Sequence, residues 1–209
     1  MDTTTAMETR RAVKRFDPAH RMTEAEIRKL ISLAMLSPTA FNIQHWRFLL
    51  VRDPGLRDAL QAAASMQPQI TEASLLVILC ADVNAWKKDA RRYWRNATAD
   101  ARSRILEAIN LYYEGRPQTQ RDEAMRSCAL AAQTMMLAAR DMGYDSCPMD
   151  LADFDEVGRL INLPDDHVIG LFVAIGKASG APRPRAGQLP LHEITFTDRF
   201  PADPETSPP

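Results

Sequence analysis

The 209-residue chain is short of several things, and each shortage removes a class of protein. It has three cysteines, Cys80, Cys128 and Cys147, with no CxxC pair, and an odd count argues against a disulfide framework. The expectation is a reduced, cytoplasmic setting in which the thiols are small buried hydrophobes. Long apolar runs are missing. The longest, Leu75 to Ala81, has seven residues, against the ~20 of a membrane-spanning helix. Met1 to Arg11 carries no apolar core of the kind a secretory signal needs. Charge of one sign is missing too. Twenty-six Lys+Arg against 27 Asp+Glu leave a net charge of −1, which gives no bulk attraction to nucleic acid or to an anionic membrane.

Familiar catalytic signatures are also absent. There is no GxGxxG, HExxH or GxSxG. The glycines of the stretch from Gly170 to Lys177 are one residue too far apart for a phosphate-binding P-loop, and Ala178 stands where that loop needs a hydroxyl. The four histidines (His20, His45, His167 and His192) lack metal-ligand spacing, so no metal is expected. Cys147 has no sequence signal pairing it with a histidine, and a buried thiol is the favoured reading over a nucleophile.

What is present is a run of well-punctuated elements. Thr23 and Glu26 form a capping box, with Met22 and Ile27 placed as a hydrophobic staple. Apolar residues then recur at Ile27, Leu30, Ile31, Ala34 and Met35, one face of a helix that Ser37-Pro38 ends. Asp53-Pro54 starts a second helix. Phe48 to Val51 has the length of a strand, and Leu75 to Cys80 reads as a strand covered on both faces. Residues 84–120 turn charged and aromatic, an insertion of one or two helices. A helix over 122–142 is stopped by Gly143 as its left-handed cap. Asp153 and Glu156 cap a further helix through Ile161, and Val168 to Ile175 is a second buried strand. The sum is an α+β domain over residues 8–200. Residues 1–7 and 201–209, the latter with four prolines in nine residues, read as tails that bury too little to offset their ordering entropy.

Three clusters carry chemistry. Arg10-Arg11-Ala12-Val13-Lys14-Arg15-Phe16 puts four cations in six residues; by itself it reads as a solvated basic turn. The stretch from Ser37 to Phe48 runs from a helix end through hydroxyl, amide and aromatic groups into a strand, a favourable place for a ligand. Pro182-Arg183-Pro184-Arg185 holds two guanidiniums on a stiff loop after the last strand. Cations from both ends of the chain could meet on one phosphate, whose oxygens match the arginine fork.

Read together, these clusters resemble the nitroreductase family of FMN-dependent oxidoreductases. Arg10-Arg11-Ala12-Val13-Lys14 is similar to that family's N-terminal basic motif. Ser37-Pro38-Thr39-Ala40-Phe41-Asn42-Ile43-Gln44-His45-Trp46 is similar to its SPS-x-x-N-x-Q-P-W loop. Gly143 to Asp155, with Cys147-Pro148-Met149 inside, resembles its SCPMGG segment. Leu163-Pro164 to Gly176, followed by Arg183-Pro184-Arg185 and Leu189-Pro190-Leu191, resembles its closing motif.

The resemblance implies an intertwined homodimer with a mostly antiparallel sheet of four or five strands, flanked by helices, and FMN at the subunit interface. Carried over residue by residue, Arg10, Arg11, Ala12 and Lys14 would line the phosphate and ribityl chain, with Arg183 and Arg185 closing on the phosphate. Alternatively, Lys14 reaches the N1/O2 edge of the ring, where a cation stabilises negative charge on the reduced flavin. Pro38, Thr39 and Asn42 would come from the other subunit, while Pro148, Met149 and Asp150 pass along the ring face. Trp46 and Phe48 are expected in the core. No side chain would be catalytic in its own right: NAD(P)H would give hydride to flavin N5, and an electron-poor acceptor such as a nitroaromatic or quinone would take it in a ping-pong cycle.

Four departures from the family pattern stand out: Ala12 for serine, His45 for proline, Asp150-Leu151 for Gly-Gly, and the small stretch Ala178 to Ala181 at the usual Gly-x-Pro turn. The insertion's aromatic residues serve either as a lid over the flavin or as helix packing and dimer contact. Competing readings are an enone or flavin reductase on the same scaffold, an FMN-binding protein without turnover, and a helical interaction domain.

Overall fold

The structure, a computed structural model, describes residues 1–150 and 153–200; Leu151 and the final stretch 201–209, both named above, lie outside them. In chain order the elements are α1 (Thr3–Thr9), α2 (Glu24–Ala34), β1 (Trp46–Val51), α3 (Pro54–Ala63), α4 (Gln69–Glu72), β2 (Leu75–Asp82), α5 (Ala85–Lys88), α6 (Ala99–Tyr113), α7 (Pro117–Asp141), β3 (Asp145–Met149), α8 (Phe154–Leu160), β4 (His167–Gly176) and α9 (Leu191–Ile194). Short 3-10 turns fill Ala40–Asn42 and Ala90–Trp94.

The four strands form one antiparallel sheet in the order β1-β2-β4-β3. Every residue of β2 is buried, because successive side chains point to opposite faces and helices cover both. Leu75, Val77, Leu79 and Ala81 pack with α2 and α7, whereas Leu76, Ile78 and Cys80 pack with α3, α4 and α8. A third apolar cluster joins Ile43 to Trp86, Ile109 and Tyr113 of the insertion.

The punctuation of the sequence is realised atom by atom. Thr23 Oγ1 accepts from the Glu26 amide, and the Glu26 carboxylate accepts from the Thr23 amide. Asp53 caps α3 through the Leu56 amide, with Pro54 at the first helical position. Gly143 follows α7 with φ +78°. All three thiols are buried, and burial pushes Cys80 up to about 11 and Cys128 up to about 12.

Three readings need correction. Residues 1–7 are not a tail, since Thr3–Thr9 form α1. Asp2 caps that helix through the Thr5 amide, Ala6 is buried, and the Met1 ammonium meets Asp141 of α7 at 2.7 Å. Docking on a long helix supplies what so short a polar segment cannot supply alone. The α7 helix begins at Pro117 rather than 122, because proline is suited to the first helical position. β3 is a strand that neither alternation nor propensity reveals. It contains Pro148, tolerated because β3 is an outer strand.

Candidate functional site

The basic segment is laid along the outer edge of β3. Val13 N donates to Ser146 O at 3.0 Å, and Ala12 forms a parallel bridge with Ser146. Further along, Asp17 N donates to Lys177 O (2.8 Å), Ser179 N donates to Arg15 O (3.1 Å), and Phe16 bridges Ala178. Val13 and Phe16 are buried anchors, and the residues between them face outward. Gly176 allows the close approach: a Cβ there would meet the Phe16 ring at 3.0 Å and Ser74 N at 3.1 Å.

This threading gathers cations. Arg185 Nη2 donates to the carbonyls of Met7 (3.1 Å), Glu8 (3.3 Å) and Arg10 (3.2 Å), closing the C-terminal end of α1. Arg11 Nη1 donates to the carbonyls of Glu8 and Arg10. Burial, then the charges of Arg185 and Arg11, lower the pKa of Arg10. Beneath them the Cys147 thiol is raised by burial, against the opposing pull of Lys14, Gln69 and Arg10. A cleft of about 250 Å3 opens between Ala12–Arg15 and Ser179–Arg183.

Arg15 pairs with Glu72 at 2.8 Å. Among the described residues, no salt bridge engages Arg10, Arg11, Lys14, Arg183 or Arg185. These five cations, none of them ion-paired, border one edge of the sheet and can serve as a cradle for an anion.

Pro148 and Met149 end β3 beside this cradle. The Met149 side chain is buried in the core, so its backbone alone can face a ligand. Asp150 is exposed, and its carbonyl accepts from Gln67 at 3.5 Å. Eight of the expected residues (Arg10, Arg11, Ala12, Lys14, Pro148, Met149, Arg183 and Arg185) therefore lie around one edge of the sheet.

Pro38, Thr39 and Asn42 lie elsewhere, in the loop between α2 and β1 that packs against the insertion. Ser37 Oγ donates to Thr134 Oγ1 at 2.8 Å, and Thr39 Oγ1 accepts from the Gln44 amide at 3.0 Å. Asn42 Nδ2 donates to Tyr93 O (3.1 Å), and Trp94 Nε1 donates to Phe41 O (2.9 Å). The loop is held with Phe41, Asn42 and Gln44 at φ of +52°, +54° and +55°, a conformation that non-glycine residues adopt only where the surroundings impose it. The Tyr93–Trp94 clamp was invisible in the sequence, because its partners are some 50 residues away. Trp86 and Tyr113 are stacked in a buried cluster, so these two serve packing. Trp46 is buried in the main core with Phe48 packed against it.

Among the described residues, one group elsewhere has metal-ligand chemistry: Asp82, Asp166 and His167. Its charge is already met, because Lys88 Nζ reaches Asp82 (2.8 Å) and Asp166 (2.6 Å), and Arg47 reaches Asp82 (3.2 Å). No described helix is long and apolar enough to cross a membrane.

Comparison with known proteins points the same way as the geometry. A family model described as "Nitroreductase family" matches residues 7–177. Protein DrgA of Synechocystis is 51% identical over 199 residues, 93% of this chain and 95% of its own. The crystal structure of ydfN from Bacillus subtilis superposes with a TM-score of 0.87 at 28% identity, covering 93% of this chain and 97% of that one. A protein of Exiguobacterium sibiricum, solved in complex with FMN, has the same fold (TM-score 0.87, 24% identity, 94% and 97% coverage).

Proposed function

The chain belongs to the nitroreductase family, and from that membership we propose that it is an FMN-dependent NAD(P)H oxidoreductase acting on electron-poor acceptors as a homodimer. The observation that carries the proposal is the cradle of Arg10, Arg11, Lys14, Arg183 and Arg185. Arg10 and Arg11 are half-buried and Lys14, Arg183 and Arg185 are exposed, none of them in a salt bridge among the described residues, so their donors are open to an anion, and the oxygens of the FMN phosphate match the arginine fork. Bound there, FMN would supply a ring that takes hydride from NAD(P)H and gives it to the acceptor.

The protein's own share is binding, orientation and electrostatics. Arg183, on the stiff loop across the cleft from Lys14, would grip the phosphate. Arg185 has one nitrogen committed to the end of α1, so it would fix that wall and lend the rest of its charge. Lys14, beside the Cys147 thiol, would serve either the ribityl chain or the N1/O2 edge of the ring. The backbone of Pro148, Met149 and Asp150 would border the ring.

Dimerisation is supported by the last part of the chain. Residues 179–200 are exposed almost throughout, including Leu191 (75% exposed) and Phe200 (77%). Large apolar side chains on an arm that its own domain does not cover call for a partner surface. Residues Pro38, Thr39 and Asn42 would then meet the cradle from the other subunit.

The test is direct. Purified protein should be yellow, release FMN on denaturation, and oxidise NAD(P)H steadily with a quinone or nitroaromatic. A colourless preparation that takes up no added FMN overturns the assignment.

A further inference from the structure

A larger cavity lies apart from the basic cleft and shares no lining residue with it. It encloses about 400 Å3 where the start of α2, the end of β1, the start of α3 and the residues before β2 converge. That volume is in the range of small-molecule sites. Its floor is apolar, with Ile27, Val51 and Leu75, and its wall carries an electrostatic anomaly.

Arg57 reaches into the wall from α3. Its Nε donates to Val51 O at 3.0 Å and its Nη1 to Ala73 O at 2.5 Å. Both acceptors are neutral, and among the described residues neither a salt bridge nor a hydrogen bond from Nη2 completes the guanidinium. Burial and the nearby charge of Arg21 lower its pKa. Arg21 spends Nη1 on the carbonyls of Pro18 and His20 in its own turn. Arg52 is neutralised by Glu24 at 2.6 and 2.8 Å.

Arg57 thus borders the cavity half-buried and without a salt bridge among the described residues, with the exposed Arg21 beside it, and a partly desolvated guanidinium is stabilised most by a carboxylate matching its fork. Glu24 and Asp58 stand on the same wall. They would repel a dianion more than a monoanion, which favours a carboxylate over a phosphate.

We propose that this cavity binds a small monocarboxylic acid with an apolar body, its carboxylate on Arg57 and Arg21 and its hydrocarbon part on the floor. The site is independent of the flavin reading above and stands or falls without it.

The experiment is calorimetric titration of the full-length protein, carrying whatever flavin it purifies with, using hexanoate, hexanol and inorganic phosphate as probes. The expected result is saturable hexanoate binding at one per chain, at least tenfold weaker binding of hexanol and phosphate, and a flavin absorbance spectrum that hexanoate leaves unmoved. Arg57→Gln and Arg21→Gln should each weaken hexanoate at least tenfold. Arg57→Gln also removes the clamp on Val51 and Ala73; should that variant fail to fold, Arg21→Gln, whose bonds are within its own turn, decides alone. Absence of saturable binding, hexanol binding as well as hexanoate, unchanged affinity in the variants, or a shifted flavin spectrum showing hexanoate in the flavin site would each overturn the proposal.

Discussion

Arg185 Nη2 lies 3.2 Å from the carbonyl oxygen of Arg10, 175 positions earlier in the chain. The same nitrogen also reaches the carbonyls of Met7 and Glu8. One guanidinium therefore satisfies carbonyls that the end of a short helix leaves open, and it brings the loop after the last strand to the basic segment before the first. The candidate site is built around that closure.

Removing the two loop arginines tests the closure. Arg183→Ala with Arg185→Ala should lower FMN retention at least tenfold, since charge-assisted hydrogen bonds contribute about 1.5–3 kcal/mol each. Flavin fluorescence after gel filtration reads the effect. Retention equal to wild type would take the phosphate role away from this loop.

The clamp on the 37–44 loop can be released without touching the cradle. Trp94→Phe keeps the aromatic body and deletes the donor to Phe41 O, a bond contributing about 0.5–1.5 kcal/mol. Hydrogen exchange at residues 41–44 should speed up several-fold while exchange in β2 stays as it was. Uniform protection in both segments would show that Trp94 does not hold the loop.

Close packing of β4 on α7 predicts a sensitive glycine. A Cβ at Gly170 would stand 2.7 Å from Cys128 Cβ, 3.0 Å from its sulfur and 3.1 Å from Leu79 O. Gly170→Ala should cost about 1–3 kcal/mol through overpacking, seen as a lower urea midpoint with an unchanged slope. A midpoint within error of wild type would mean that α7 shifts freely, contrary to a buried interface.

Acid should destabilise the protein through His45. The imidazole is fully buried, with Nδ1 3.2 Å from Ser127 Oγ. Burial, with a smaller contribution from Arg47 and against the pull of Asp82, lowers its pKa from 6.5 to about 4. Between those values the unfolded chain binds more protons at this site than the folded one, so the His45 contribution lowers stability as pH drops from 6.5 to 4 and is constant below. The whole window is worth about 3 kcal/mol. Glu26 and Asp166, both lowered to about 2, act in the same direction at lower pH, starting from 4.5 and 3.8. Chemical denaturation across pH 7 to 4 should slope in wild type and flatten in His45→Gln. Equal slopes would exclude His45 as the origin.

How much of this was legible beforehand differs from element to element. The α2 capping box, the proline start of α3 and the stop at Gly143 were readable because caps and turns are decided within four residues by backbone donors and acceptors. β2 was readable because seven apolar residues in a row have no stable place except between two covered faces. α1 was not, because a seven-residue polar helix holds only when α7 receives it. Nor was β3, whose identity as a strand rests on β4 on one side and residues 12–13 on the other.

For the site, the sequence alone specified the reagents: the cations at 10, 11, 14, 183 and 185, and the order of motifs that marks the family. Only the tertiary structure decided that Ala12 lies against Ser146 and Arg185 against Arg10, while Asn42 is tied to Tyr93 at the far side of the chain. Which residues carry charge is a property of each position, but where charges meet is set by the sheet order and by helices that bury both its faces. Those terms exist only once distant segments have packed.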